Sequence, residues 1–274
     1  MRLASIHTYP IKGCHRLDHD GAQVEPWGLA GDRRWMLVNE DGRALTQRDT
    51  PLLARIQPRL NADGGLTVRL AGRPDLVVTQ PTGAERVDVT VWRSTLPAEL
   101  ADTAADEWFS DILDRKVRLV WLGDTNRRAT NPAYSEPDDR VSFADGYPLL
   151  LTNAASLDAL NGWLQATGDL DGPVPMSRFR PNVVVAGAEP WAEDEWLGRR
   201  IRIGGVVFRA VKPCDRCVVT TIDQETGEPG RQPLRILARH RNVDGKLLFG
   251  MNLIPDNTGR ITVGDPVEML PGSP

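Results

Sequence analysis

Two of the three cysteines of this chain stand close together, in the run KPCDRC at residues 212–217. The β-branched run VVTTI follows directly, which predicts a strand over 217–222 that begins at Cys217. A redox-active Cys-x-x-Cys pair normally opens a helix, where free backbone N–H groups stabilise the thiolate. A thiol at the start of a strand is better placed to point into a cavity. We therefore interpret Cys217 as a ligand rather than as one half of a dithiol exchanger.

The other metal-ligating side chains do not form a zinc pattern. A structural zinc site takes four ligands, commonly from two Cys-x-x-Cys pairs or from one such pair and two histidines. Only Cys14 is left beside the pair. The four histidines occur singly, at His7, His15, His19 and His240. A catalytic Cys–His pair stays open, although no local signature supports it. For Cys217 the alternative is an inert buried cysteine, and Cys214 is expected to pack or to support the loop.

Cations beside predicted strand ends are candidates for binding an anion. Arg178 and Arg180 are two residues apart in the run SRFRPN, so on an extended segment both project to one side. There they can grip a phosphate or a polar heterocycle, and Asn182 adds a donor and an acceptor. Further cations of this kind are Lys12, next to Gly13, and the pair Arg33 and Arg34. The alternative for each is a solvated edge or a salt bridge to one of the 37 acidic residues.

The elements that must position these residues are mostly strands. Residues 1–95 predict a small barrel or sandwich, with strands at 3–9, 35–39, 55–60, 66–70 and 87–92. Helical spacing of apolar residues predicts helices at 98–114 and at 156–164, the second N-capped near residues 152–153. Between them lie a strand at 117–121 and a polar loop at 123–140. Later strands are predicted at 183–185, 201–203, 206–211, 217–222, 247–253 and 261–263. We expect two β-rich lobes joined through a helical segment.

The composition is that of an ordinary globular protein and excludes several classes of partner. The 274 residues are 41% apolar and 26% charged, and the net charge is −4 with a pI near 5.7. This balance gives no general attraction to nucleic acid or to acidic membranes. The first residues lack an apolar core of signal-peptide length, and three cysteines argue against a secreted disulfide scaffold. We expect a cytoplasmic, reduced protein without a membrane anchor.

An ordered set of motifs along nearly the whole chain resembles one protein family. The motifs are YPIK at 9–12, GDRRW at 31–35, FRPN at 179–182, CDRC at 214–217, TTID at 220–223, TG at 226–227, LFG at 248–250 and VGDPV at 263–267. Together they resemble the MOSC-domain proteins with an N-terminal MOSC β-barrel, the type that includes the amidoxime-reducing components. The resemblance implies an α+β, β-rich fold, with an N-terminal MOSC β-barrel domain at 1–120 and the MOSC domain at 121–274.

The resemblance also implies a cofactor. In this family the second cysteine of the Cys-x-x-Cys run ligates molybdenum, so Cys217 is expected to be the metal ligand and the catalytic residue. The metal is carried by a pterin dithiolene with a terminal phosphate, the molybdenum cofactor (Mo-molybdopterin). The residues expected to bind it are Lys12, Gly13, Arg33, Thr152, Asn153, Ser156, Arg180, Asn182, Cys214, Arg216 and Asn252. A phosphate at the start of the second helix would suit the helix dipole and its free N–H groups. At Gly13 and Asn252 the animal proteins have a serine and a tyrosine.

The activity implied by the resemblance is two-electron reduction of the N–O bond in a small N-hydroxylated substrate, such as an amidoxime or a hydroxylamine. Electrons would come from a separate donor protein of the ferredoxin, flavodoxin or cytochrome/flavin reductase type. One alternative is a carrier of the molybdenum cofactor or of sulfur, because MOSC domains also form the C-terminal part of molybdenum-cofactor sulfurases. Pyridoxal phosphate binding is then an association of the family only, since no desulfurase domain is expected in this chain. The other alternative is a non-catalytic module that holds a small anion.

Overall fold

Strands dominate the molecule. A computed structural model describes residues 1–125, 128–168 and 172–271. It is 37% strand and 19% helical, which confirms the expected α+β, β-rich class. The helices of the described residues are α1 (Thr103–Leu113), α2 (Ala154–Ala166) and α3 (Leu234–His240). Within the same ranges, none of the helices combines the length and apolar character needed to cross a membrane.

The strands follow in chain order. In the first half they are β1 (Arg2–Thr8), β2 (Leu17–His19), β3 (Gly21–Glu25), β4 (Gly28–Leu29), β5 (Trp35–Val38), β6 (Gln57–Leu60), β7 (Leu66–Arg69), β8 (Leu76–Val78), β9 (Arg86–Val91), β10 (Ser94–Leu100) and β11 (Arg118–Trp121). In the second half they are β12 (Leu149–Asn153), β13 (Val183–Ala186), β14 (Arg200–Ile203), β15 (Val206–Asp215), β16 (Asn242–Val243), β17 (Lys246–Pro255), β18 (Gly259–Thr262) and β19 (Val267–Met269).

The largest sheet has nine strands and takes members from both halves of the chain. Its order is β19-β14-β15-β17-β12-β13-β1-β2, with β16 paired to β17. Neighbours are antiparallel except β12 and β13, which are parallel and joined by α2. Leu3 and Ile6 of β1 are fully buried in the same apolar core as Val183 and Phe208. The first strand of the chain is therefore part of the core built by the second half.

Smaller sheets complete the first half. They are β5-β11-β10-β9 and β6-β7-β8, while a third sheet, β18-β3-β4, again joins the two halves. Helix α1 buries Ala105 and Phe109 against this half of the molecule, and the Asp102 side chain caps it by accepting from the Ala105 N–H at 2.8 Å. The division of the chain at residue 120 stays a prediction, because two of the four sheets contain strands from both sides of it.

The helix predicted at 98–114 begins later than expected. Residues 94–100 form β10, which pairs with β9 in a hairpin whose register matches Ser94 to Val91. The pairing of neighbouring strands outweighs helical spacing over the first residues, and the helix then starts after the Asp102 cap. The second helix is confirmed, and its predicted cap is confirmed at Asn153, whose side chain accepts from the Ala155 N–H at 3.1 Å.

The strand predicted at 217–222 is wrong. Strand β15 ends at Asp215, and Val218–Thr221 form a short 3₁₀ helix. The Thr220 and Thr221 hydroxyls donate to carbonyls three residues back, those of Cys217 (2.9 Å) and Val218 (2.8 Å). Such local bonds from side chain to backbone compete with strand pairing, even in a β-branched run. Cys217 therefore follows the strand and does not begin one.

Candidate functional site

A cleft between the two halves of the chain gathers most of the expected site residues. Those that line it are Lys12, Gly13, Arg33, Arg180, Asn182, Cys214, Arg216, Cys217 and Asn252. The cleft has a free volume of ≈ 180 Å³. A neighbouring groove of ≈ 420 Å³ shares Lys12, Thr46 and Arg48 with it. Together they reach the size of typical ligand sites, roughly 300–1,000 Å³.

The irregular end of β15 positions Cys217. The pairing of β15 with β17 shifts register between Ala210 and Lys212 and again between Pro213 and Asp215. Such irregularities bend a strand and redirect its side chains, and they are common beside active sites. The Arg216 N–H then donates to the Leu247 carbonyl at 2.8 Å. Cys217 follows as the residue before the 3₁₀ helix, half-buried at the cleft wall.

Each sulfur of the Cys-x-x-Cys run has a guanidinium group beside it. Arg48 donates from Nη2 to the Cys217 Sγ at 3.2 Å. Arg216 donates from Nη1 to the Cys214 Sγ at 2.8 Å and from Nη2 to the Phe179 carbonyl at 2.6 Å. Cys214 thus orients Arg216 in the cleft. Sequence reasoning missed Arg48, because it lies outside the motifs and more than 160 residues from Cys217 (sequence separation 169).

Arg180 lies in the cleft on a left-handed backbone, with φ of 53°. Its guanidinium donates to Gln224 Oε1 (2.7 Å) and to the Cys14 carbonyl (2.8 Å). The guanidinium carbons of Arg180 and Arg33 lie 4.1 and 4.2 Å from the ring centre of Tyr9. Burial, together with the charge of Arg33, lowers the pKa of Arg180 to about 10. An anion in the cleft would relieve this cost, because it would compensate the half-buried positive charge.

Two other cations of the cleft already have acid partners. The Lys12 ammonium forms an ion pair with Asp145 and donates to the Phe143 carbonyl at 2.9 Å. Burial lowers the pKa of Lys12, and the Asp145 charge opposes this effect. Arg33 is paired with Asp32 at 2.5 Å. Asp145 was not expected from the sequence, because no motif contains it.

Three arginines of the cleft have no acid partner among the residues that the structure describes. They are Arg48, Arg180 and Arg216. The Nε of Arg216 is also buried, and no described residue offers it a hydrogen-bond partner. A surplus of positive charge and an unpartnered donor in one cleft fit an anionic ligand.

The remaining cleft residues shape its floor through their backbone and amide groups. Asn182 accepts from the Leu150 N–H (3.1 Å) and from Arg33 Nη1 (3.0 Å), so its amide orients that arginine. Gly13 has φ of 83°, and its carbonyl accepts from Gln47 Nε2 at 2.7 Å. Asn252 donates from Nδ2 to the Lys212 carbonyl at 3.0 Å.

The expected role of Thr152, Asn153 and Ser156 in cofactor binding stays a prediction. All three residues are fully buried and do not line the cleft. Glu193 explains why. Its Oε2 accepts from the Ser156 hydroxyl at 2.8 Å and from Asn153 Nδ2 at 3.1 Å, while Thr152 donates to the Met176 sulfur at 3.3 Å. The start of α2, where a phosphate was expected, thus already holds a carboxylate of the protein itself.

The predicted loop at 123–140 is tied to the back of the cleft. Residues 126 and 127 lie outside the described residues. Arg128 is buried and donates to the carbonyls of Ser142 (2.7 Å), Ala144 and Asp145 (2.8 Å). Asp139 accepts from Arg209 at 2.6 Å. Through Arg128 the loop holds the turn that presents Asp145 to Lys12.

Comparison with known proteins assigns a family to the chain. Residues 1–116 match the MOSC N-terminal beta barrel domain, and residues 138–268 match the MOSC domain. Mitochondrial amidoxime-reducing component 1 of Mus musculus is 32% identical over 287 residues, which cover 98% of this chain and 82% of that protein. The Homo sapiens protein of the same name is 32% identical over 289 residues, with the same coverage.

A second kind of relative carries the same unit in a longer protein. The molybdenum cofactor sulfurase of Oryza sativa subsp. japonica is 29% identical over 273 residues, which cover 92% of this chain and 32% of the sulfurase. The matches to both domains, and the match of nearly this whole chain to the amidoxime-reducing components, confirm the resemblance seen in the motifs. This chain belongs to the MOSC-domain proteins that begin with an N-terminal MOSC β-barrel domain.

Proposed function

We propose that this chain is a molybdenum-cofactor oxidoreductase that reduces N-hydroxylated compounds such as amidoximes and hydroxylamines. One observation carries the proposal. The Cys217 thiol shares a cleft with three guanidinium groups, those of Arg48, Arg180 and Arg216, that have no acid partner within the described ranges. The name of one relative, molybdenum cofactor sulfurase, supports the cofactor, and the name of the other, amidoxime-reducing component, supports the class of substrate.

The cleft residues fit the two chemical demands of such a cofactor. Thiolate sulfur suits a soft metal, and Cys217 would supply it. Arginine binds anionic oxygens through paired N–H groups, and Arg180 and Arg216 would hold the anionic part of the cofactor. Lys12 and Arg33 would add positive charge, although each is already partly neutralised by an aspartate.

The cofactor, when bound, supplies two-electron redox chemistry, and the protein supplies binding and orientation. Cys217 and Arg48 form the wall at which a small substrate would meet the metal. The neighbouring groove shares Lys12 and Arg48 with the cleft and would give such a substrate a route from solvent. A separate protein would deliver the electrons.

The similarity to the sulfurase favours a second candidate, a carrier of the molybdenum cofactor or of sulfur. A carrier needs the same cleft and the same thiol, so the geometry supports binding for both candidates. They differ in turnover, because a carrier reduces no N–O bond.

The test measures metal content and turnover on the same preparations. The protein is purified from a host that makes the molybdenum cofactor, and molybdenum per chain is determined by inductively coupled plasma mass spectrometry. Reduction of an amidoxime is then followed with an artificial electron donor. We expect molybdenum and turnover in the wild type and the loss of both in Cys217→Ser. Cys14→Ala is the matched control, because Cys14 is buried in an apolar core and does not line the cleft.

The other outcomes separate the candidates. Molybdenum without turnover would favour the carrier. An absence of molybdenum, with a competent molybdenum protein loaded in parallel, would contradict the oxidoreductase and the cofactor carrier and leave only the carrier of sulfur. If Cys217→Ser kept molybdenum and turnover, the assignment of the metal ligand would be wrong.

A further inference from the structure

A second polar site lies on strand β1 and shares no lining residue with the cysteine cleft. It contains a chain of two hydrogen bonds between three side chains. The Ser5 Oγ lies 2.9 Å from the His7 Nε2, and the His7 Nδ1 lies 2.6 Å from the Asp18 Oδ1. A hydroxyl on one imidazole nitrogen and a carboxylate on the other is the arrangement of a serine nucleophile, its general base and the group that orients the base.

The strands produce this arrangement directly. Ser5 and His7 are two residues apart on β1, so their side chains share one face of the strand. Asp18 is the residue directly opposite His7 in the pairing of β1 with β2. Strand β1 is irregular against β13 between Leu3 and Ser5, which places the bend at the serine. The three side chains are therefore held by backbone pairing rather than by a mobile loop.

A cavity lies in front of the serine. It has a free volume of ≈ 260 Å³, and both Ser5 and His7 line it. Pro175, Met176 and Pro181 give it an apolar wall, and Arg16 adds a positive charge. The cavity is below the size range of drug-sized ligand sites, so it suits a compound with a short apolar group.

The charges around His7 suit a general base. Burial lowers the pKa of His7, and Asp18 opposes this effect, so the imidazole is neutral near pH 7. Burial acts to raise the pKa of Asp18, but the hydrogen bond from His7 and the charge of Arg16 hold it below its ordinary value. Arg16 donates from Nε to the same Asp18 oxygen at 2.9 Å, which fixes the carboxylate. A neutral base and an ionised orienting group are what this chemistry requires.

We propose that Ser5, His7 and Asp18 form a hydrolytic site for small acyl esters, with Ser5 as the nucleophile and His7 as the general base. The Ser5 Oγ bonds to the ester carbonyl carbon while its proton passes to the His7 Nε2. The ester C–O bond then breaks, and the leaving alcohol takes that proton. Water next adds to the acyl carbon and gives a proton to Nε2. Release of the carboxylic acid breaks the bond to Oγ and returns the proton to Ser5, so one ester and one water give one acid and one alcohol.

The test uses a fluorophosphonate probe, which labels activated serines, on the purified full chain. The labelled residue is identified by peptide mapping, and hydrolysis of 4-nitrophenyl acetate is measured in parallel. We expect the label on Ser5. We expect Ser5→Ala to lose it and His7→Gln to slow labelling and hydrolysis by about 10²- to 10⁴-fold, the usual contribution of a general base. Ser135→Ala is the control, because Ser135 lies in a loop where its hydroxyl donates to the Asn131 carbonyl.

Three results would overturn the proposal. The first is wild-type protein in which Ser5 stays unlabelled, which needs no variant to fold. The second is labelling of Ser5 in His7→Gln at the wild-type rate, with an unchanged melting temperature. The third is loss of Ser5 labelling in Cys217→Ser, because the site would then depend on the cleft. Ser5 labelling that persists in Cys217→Ser supports the proposal whatever molybdenum the protein binds.

Discussion

Arg48 Nη2 lies 3.2 Å from Cys217 Sγ, although the two residues come from opposite halves of the chain. Cys217 follows β15, whereas Arg48 precedes the 3₁₀ helix Pro51–Arg55. The Arg48 guanidinium also lies 4.7 Å from the ring centre of Trp92, a cation–π distance that fixes its direction. The first half of the chain therefore supplies a direct neighbour of the sulfur, and the cleft is complete only when both halves are present.

Removal of this arginine should weaken the proposed reaction. A hydrogen bond that involves a charged group contributes about 1.5–3 kcal/mol, so we expect Arg48→Ala to lower kcat/KM for an amidoxime roughly ten- to a hundredfold. Arg48→Lys should recover part of the loss, because it keeps the charge but not the planar fork. Arg59→Ala, an exposed arginine of β6, is the control. If Arg48→Ala kept the wild-type kcat/KM, Arg48 would have no role in the proposed reaction.

Arg180 should matter for retention of the cofactor. Its charge is half-buried with no acid partner in the described chain, and an anion would compensate it. Loss of one charge-assisted contact of about 1.5–3 kcal/mol predicts roughly ten- to a hundredfold weaker binding in Arg180→Ala, seen as lower molybdenum content after dialysis. Arg202→Ala is the matched control, because Arg202 pairs with Glu268 at the surface. Equal molybdenum in both variants would contradict this role.

Tyr9 should support cofactor retention through its aromatic ring rather than through its hydroxyl group. The hydroxyl donates to the Pro181 carbonyl at 3.0 Å, so Tyr9→Phe is expected to cost about 1 kcal/mol of stability with molybdenum retained. Tyr9→Leu also removes the ring beneath Arg33 and Arg180, a loss of about 0.5–2 kcal/mol for each cation–π contact. We expect lower molybdenum content only in Tyr9→Leu. Urea unfolding and metal analysis check the two effects separately, and equal molybdenum loss in both variants would assign the effect to the hydroxyl.

Glu193 predicts a pH dependence of stability. Burial raises the pKa of this carboxyl despite its bonds from Ser156 and Asn153, and its Oε1 has no hydrogen-bond partner within the described part of the chain. Stability from a raised pKa is complete below the ordinary value of a glutamate and is lost as the pH rises through the folded value. Glu193→Gln has no such loss. The melting temperature of the variant should therefore rise relative to that of the wild type as the pH increases above about 4, the ordinary pKa of a glutamate. A difference in melting temperature that stays constant as the pH increases would contradict the assignment.

Most of the expected site residues that line the cleft belong to the ordered motifs. Several of these motifs each contribute a residue that meets residues of another motif in the folded protein. YPIK supplies Lys12, FRPN supplies Arg180 and Asn182, and CDRC supplies both half-buried cysteines. Strand periodicity likewise predicted the β-rich class and most strands of the second half. The motifs and the strands can be predicted because both depend on the local spacing of residues, which can be read directly from the sequence.

What the sequence did not predict depends on contacts between distant residues. Arg48 and Asp145 reach the cleft through the packing of the two halves, and no local pattern marks either one. The β-branched run after Cys217 predicts a strand, but threonine hydroxyls that bond to their own backbone turn it into a 3₁₀ helix. The bond from Ser156 to the buried Glu193 likewise leaves no trace in the spacing of residues.

The position of β1 in the large sheet has a consequence for synthesis of the chain. Its partner β13 begins only at Val183. At about 5–20 residues per second, a ribosome releases β13 roughly 10 to 35 seconds after β1. During that interval Leu3 and Ile6 lack most of the apolar core that buries them, because its members beyond Leu29 all lie in the second half. Strand β1 therefore stays without its β13 partner while the rest of the first half is translated. The large sheet can form completely only after the second half has left the ribosome.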